Sequence, residues 1–226
     1  MNHKRITLLA GHYGSGKTNI AVNIALELKR EADELGTGGR VAIADLDIVN
    51  PYFRTKDSAR ELEAAGIRLI CSEYAGSNVD IPALPQDIYA ISDDKGLTAV
   101  IDIGGDDRGA LALGRYAPAI LEENDYEMLL VINAYRPLTR DVASTVEVIR
   151  EIENAGGIRF TAIVNNSNLG EETTADTVLD SLGYARSISE AVGLPLKMTT
   201  VRAELYDELK DKISNLFPLR LQDKIK

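Results

Sequence analysis

The residues Gly11-His12-Tyr13-Gly14-Ser15-Gly16-Lys17-Thr18 carry the spacing G-x-x-x-x-G-K-T, a pattern that cradles phosphate. Its glycines let main-chain N–H groups turn inward on an anion, and a helix starting at its end adds a partial positive charge. Lys17 brings a full charge to the β- and γ-phosphates of a nucleotide, and the Thr18 hydroxyl can ligate Mg²⁺. The whole run, from Gly11 to Thr18 with His12, Tyr13, Gly14, Ser15 and Gly16, is the candidate nucleotide-binding loop. Downstream, Asp45 and Asp47 stand two residues apart at the end of an apolar run, so strand alternation puts both side chains on one side. Beside a phosphate loop, one such carboxylate holds Mg²⁺ and the other orients or deprotonates an attacking water. Asp102-Ile103-Gly104-Gly105 closes another apolar run. Asp102 reads as a further acid on the Mg²⁺ side. Gly105 reads as the place where a main-chain N–H approaches the γ-phosphate and reports its presence.

Two more polar clusters follow apolar runs, Asn133-Ala134-Tyr135-Arg136-Pro137 and Asn165-Asn166-Ser167-Asn168. An asparagine amide offers a donor and an acceptor and can pair with an adenine edge. Asn165 is the candidate for that contact, although Asn-rich turns are also ordinary turn chemistry. No Asn-Lys-x-Asp run asks for guanine. Arg136 is a candidate partner for an anion, or a plain surface residue.

These groups need a scaffold that gathers strand ends. Apolar runs alternate with helical patterns along the chain, and the runs are continuous rather than alternating in polarity. Strands covered on both faces read that way, which predicts an α/β fold, a mostly parallel sheet flanked by helices on both faces; the motif at Gly11–Thr18 makes it a fold of the P-loop NTPase kind. Ligands of such sheets bind beyond the carboxyl ends of the strands, where the polar clusters lie. The pattern predicts helices over residues 108–121, 139–154, 173–182, 188–192 and 203–216. Leu205, Leu209, Ile213 and Leu216 would form one stripe of the last of these. Packing on the sheet accounts for that stripe, and Pro218 interrupts it, so membrane docking is not expected.

The 226 residues suit a single nucleotide-binding domain. Thirty-five acids against 25 bases give a formal charge of −10, which argues against non-specific nucleic-acid binding. Cys71 is the only cysteine, so no internal disulfide or Cys-ligated zinc site is available, and a buried structural thiol is expected. No signal-peptide pattern or apolar span of membrane length is seen, and a soluble cytoplasmic protein is expected.

Together, the loop at residues 11–18, Asp45-Leu46-Asp47, Asp102-Ile103-Gly104-Gly105 and Asn165 resemble the MinD/ParA/CobQ-like group of SIMIBI P-loop NTPases. The resemblance implies an ATP-dependent switch that acts on a partner protein, with ATP or ADP and Mg²⁺ as ligands. It also implies a homodimer sandwiching the nucleotide. In it Asp45 acts on the Mg²⁺ side, Asp47 acts on the catalytic water with Lys17 at the phosphates, and Asn165 recognises adenine. The sequence departs from the group at His12, where the group carries a signature lysine. A histidine does not bring the full charge of a lysine near neutral pH. The alternative reading is a small-molecule kinase or ATP-dependent ligase of the dethiobiotin-synthetase-like branch, with an acceptor held between residues 82–85 and Arg136. A nucleotide-binding module without hydrolysis is a third.

Overall fold

The computed structural model describes residues 3–46, 59–71, 88–105 and 107–220. Its strands are β1 (Ile6–Ala10), β2 (Arg40–Leu46), β3 (Arg68–Ile70), β4 (Leu97–Ile103), β5 (Tyr126–Ile132), β6 (Ala162–Asn165), β7 (Leu196–Arg202) and β8 (Leu216–Leu219). They form one eight-stranded sheet in the order β3-β2-β4-β1-β5-β6-β7-β8. Every pair is parallel. The expected α/β architecture is therefore present, and the sheet is wholly parallel among the described residues.

Alternation along the strands divides the core in two. Leu8, Ala44, Ile101, Leu130 and Ile163 face one side. There they pack against α3 (Tyr89–Asp93), α4 (Asp107–Gly114), α5 (Ala117–Glu123), α6 (Val142–Gly156) and α7 (Ala175–Val192). Leu9, Ile43, Val100, Val131 and Val164 face the other side, under α1 (Lys17–Glu34) and α2 (Ala59–Ala64). Burying both faces removes the polar alternation that a half-exposed sheet would show, which is why the strands read as unbroken apolar runs.

Several elements differ from the sequence expectation. The helix expected over residues 108–121 is two helices, with Pro118 in the first turn of the second, where its missing N–H is harmless. The two helices expected at 173–182 and 188–192 are one, α7, started by a capping box between Thr174 and Thr177. The helix expected at 203–216 is a 3₁₀ turn (Ala203–Leu205) and the short α8 (Tyr206–Leu209), after which the chain adds β8 to the sheet edge. Pro218 lies in that edge strand, where a residue without an N–H is tolerated. The stripe itself is core: Leu209 and Ile213 are buried with Ala175, Val178 and Val201, and Leu205 and Leu216 pack against them. Cys71, expected to be buried, is only half-buried. No helix among the described residues is long and apolar enough to cross a membrane.

Candidate nucleotide-binding site

β1 lies in the middle of the sheet between β4 and β5, so the loop that leaves it, residues 11–18, is flanked by the carboxyl ends of both. The loop is pressed onto β5. A Cβ on Gly11 would stand 2.4 Å from the Val131 carbonyl oxygen, and Gly11 has φ 148°. Gly16 takes φ 90° as the residue before α1, and no side chain caps that helix. The first N–H groups of a helix have no partner of their own within it, and here no capping side chain takes them. No acidic residue occupies the first turn of α1. The hydroxyl of Ser15 is buried in the loop without a hydrogen-bond partner, a condition that a buried polar group rarely tolerates without a ligand or water to complete it. Both features fit a bound phosphate.

Lys17 is buried at 6% exposure, with Nζ donating to the His12 carbonyl at 3.4 Å. His12 itself turns back on the loop, its Nδ1 3.0 Å from the Tyr13 carbonyl oxygen, and Tyr13 is exposed. Thr18 donates from Oγ1 to Asp102 Oδ2 at 2.5 Å. That contact follows from strand parity. Ile101 and Ile103 face the α4–α7 side, so Asp102 between them faces α1, which carries Thr18. Asp45 lies on the same face of β2, beyond Val41 and Ile43, and its register partner on β4 is Asp102. Neighbouring strands run about 4.8 Å apart, so two buried carboxylates stand side by side beneath the loop, next to a threonine hydroxyl. Hard oxygen donors of this kind suit Mg²⁺. Gly105 is against the loop as well: a Cβ there would lie 2.6 Å from the Tyr13 nitrogen. The fold thus brings together Lys17, Thr18, Asp45, Asp102 and Gly105. Asp47 and residues 82–85 lie outside the described residues.

Asn165, the candidate for the base contact, closes β6. It has no exposed surface. Its Nδ2 donates to Ser181 Oγ of α7 at 2.9 Å, and its Oδ1 accepts from the Ser167 N–H at 3.2 Å and from Ser167 Oγ at 2.7 Å. These hydrogen bonds tie β6 to α7 and to the turn that follows it. The next residue, Asn166, is the one directed at the loop. Its Nδ2 donates to the Ser15 carbonyl at 2.6 Å, and its Oδ1 accepts from Thr200 Oγ1 of β7 at 2.6 Å. Sequence reading missed it, although alternation offered a signal: adjacent residues at a strand end face opposite sides. Beside this cluster Tyr135 donates its hydroxyl to the Thr177 carbonyl at 2.8 Å. Burial, with the Asp180 carboxylate adding to it, raises the Tyr135 phenol pKa above its usual range.

No protein-family model matches the sequence, and no curated protein does. Solved structures resemble it in fold. FtsY of Thermotoga maritima superposes with a TM-score of 0.55 at 19% identity, over 87% of this chain and 61% of that one. The signal recognition particle receptor FtsY of Elizabethkingia anophelis, in complex with GDP, gives 0.55 at 19% identity, over 89% of this chain and 58% of that one. FlhF complexed with GTP and Mg²⁺ gives 0.51 at 13% identity, over 88% and 66%. The chain therefore spans about three fifths of the length of the FtsY chains it resembles. At such identities the likeness establishes the fold, which is that of the P-loop NTPases.

Proposed function

We propose that this protein binds a Mg²⁺·nucleoside triphosphate in the loop of residues 11–18 and hydrolyses it as a conformational switch for a partner protein. The observation that carries this reading is the Thr18–Asp102 hydrogen bond of 2.5 Å, with Asp45 in register beside it, at the foot of an uncapped glycine loop. Phosphoryl transfer needs an anion cradle, a fixed cation and a metal site in one cleft, and these residues supply the groups for all three. Loop N–H groups and the Ser15 hydroxyl would hold the phosphates, with Lys17 swinging from the His12 carbonyl to meet them. Thr18, Asp102 and Asp45 would hold Mg²⁺, which when bound offsets phosphate charge and orients the chain for attack. Asp47 is the proposed orienter of the water. Gly105 lies directly on the loop backbone, so arrival or loss of a γ-phosphate would be passed to residues 104–105 and to α4, the moving part of the switch.

The resemblance to the MinD/ParA/CobQ-like group favours ATP, whereas FtsY and FlhF, the structural neighbours, carry guanine nucleotides in two of their complexes. We retain ATP as the proposed substrate and GTP as its tested competitor. A homodimer formed across the nucleotide is part of the proposal, as is action in the cytoplasm. Calorimetry with Mg²⁺·ATP and Mg²⁺·GTP tests the reading directly. The wild type is expected to bind one of them at micromolar concentration, and Lys17→Ala to abolish that binding. Unchanged affinity in Lys17→Ala, or no binding of either nucleotide at millimolar concentration by the wild type, would overturn it.

A further inference from the structure

The loop after β5 carries a cation to the phosphate loop that the reaction described above does not use. Asn133 is fully buried and organises this turn: its Oδ1 accepts from the Tyr135 N–H at 3.0 Å, and its carbonyl accepts from the Arg136 N–H at 3.1 Å and from Thr139 Oγ1 at 2.9 Å. A 3₁₀ turn at Pro137–Thr139 follows immediately. The backbone of Arg136 is thereby held on both sides. Its side chain reaches across to the loop: Nε, Cζ and Cδ lie 3.7, 3.8 and 3.9 Å from the point where a Cβ on Gly14 would stand. Among the described residues no carboxylate or carbonyl pairs with this guanidinium, although the chain carries 35 acids against 25 bases. The β5 turn therefore places a permanently charged fork, without a partner among the described residues, over the open face of a glycine in the loop of residues 11–18. Guanidinium geometry suits phosphate oxygens and stays charged at every physiological pH.

We propose that Arg136 is a second cation for the bound polyphosphate, supplied from within the same chain and acting beside Lys17. The proposal rests on the nucleotide-binding reading above. Lys17 is buried at the base of the loop, whereas Arg136 comes over its outer surface at Gly14, so the two charges would approach the phosphate chain from different sides. Arg136 would hold the tri- and diphosphate and release the monophosphate, giving the site its preference for a long phosphate chain.

Calorimetry on the full chain tests this, using Mg²⁺·ATP and Mg²⁺·GTP with their di- and monophosphates, on the wild type, Arg136→Ala, Arg136→Lys and Lys17→Ala. Arg136→Ala is expected to weaken tri- and diphosphate binding about tenfold, the scale of one charge-assisted hydrogen bond, with Arg136→Lys recovering part. The melting temperature of the ligand-free Arg136 variants is expected to stay at the wild-type value, because the guanidinium has no partner to lose among the described residues. Arg136→Ala binding with wild-type affinity, while Lys17→Ala does not bind, would overturn this proposal and leave the nucleotide-binding reading intact. A monophosphate loss as large as the triphosphate loss would also overturn it, moving the guanidinium to the base or ribose. A wild type that binds no nucleotide would sink both.

Discussion

The side-chain amide of Asn166 donates to the main-chain carbonyl of Ser15 at 2.6 Å, across 151 positions of sequence. The carbonyls of a phosphate loop must point away from the anion if the N–H groups are to point toward it. Asn166 takes one of those outward carbonyls, and Thr200 fixes which end of the amide faces the loop by donating to its oxygen. The space is fully used, since a Cβ on Gly16 would lie 2.2 Å from Asn166 Nδ2.

Asn166→Asp would set a carboxylate oxygen against the Ser15 carbonyl, and Asn166→Ala would leave that carbonyl without its donor. Either change is expected to lower stability by about 1–3 kcal/mol, the scale of a buried unsatisfied polar group. Nucleotide affinity should fall at least tenfold, more in Asn166→Asp than in Asn166→Ala. Urea unfolding and calorimetry on the two variants check the order.

Asn165 should behave differently. Truncation to alanine strips partners from Ser181 and Ser167, and a stability loss of about 1–3 kcal/mol is expected. The ratio of ATP to GTP affinity should not move. A tenfold change in that ratio for Asn165→Ala would return the residue to the base-reading role that the sequence suggested.

Two glycines give opposite expectations. Gly105→Ala drives a methyl to within 2.6 Å of the Tyr13 nitrogen, so overpacking should destabilise the protein by about 1–3 kcal/mol and loosen nucleotide binding. Gly183 is exposed in the middle of α7, and a Cβ there meets nothing within 4 Å. Gly183→Ala is expected to stabilise by up to about 1 kcal/mol through helix propensity. Thermal melts of the pair suffice.

At the opposite end of the sheet Glu127 is buried and accepts hydrogen bonds from Thr7 at 3.0 Å and from Lys197, with His3 Nδ1 also 3.0 Å away. Burial alone would raise its pKa, but the hydrogen bonds and charges of His3 and Lys197 outweigh it and hold the carboxyl at about 2, down from an ordinary 4.5. A carboxyl depressed in the folded state contributes its full stability above the unfolded value and loses it as pH falls toward the folded value. The contribution, on the order of 3 kcal/mol, should therefore be present above about pH 4.5 and vanish toward pH 2. Glu127→Gln should flatten that part of the stability curve, measured by urea unfolding across the range. An acid limb with the wild-type slope in the variant would remove the assignment.

Much of this protein is written locally. The spacing from Gly11 to Thr18 determined the glycine loop between β1 and α1, because φ above zero at Gly11 and Gly16 and a lysine at the helix start are properties of single residues. Unbroken apolar runs determined a sheet buried on both faces, because a strand with no wet side has no polar alternation to show. Local pattern could not decide what residues 203–219 become. A stripe at Leu205, Leu209, Ile213 and Leu216 suits a helix or an edge strand preceded by turns, and only the open flank of β7 with the cluster around Val178 decides between them. Nor could it choose between Asn165 and Asn166. Both are asparagines at one strand end, and which of them meets the loop depends on where β6 stops and which face α1 covers. Those are long-range facts, decided by the assembled sheet.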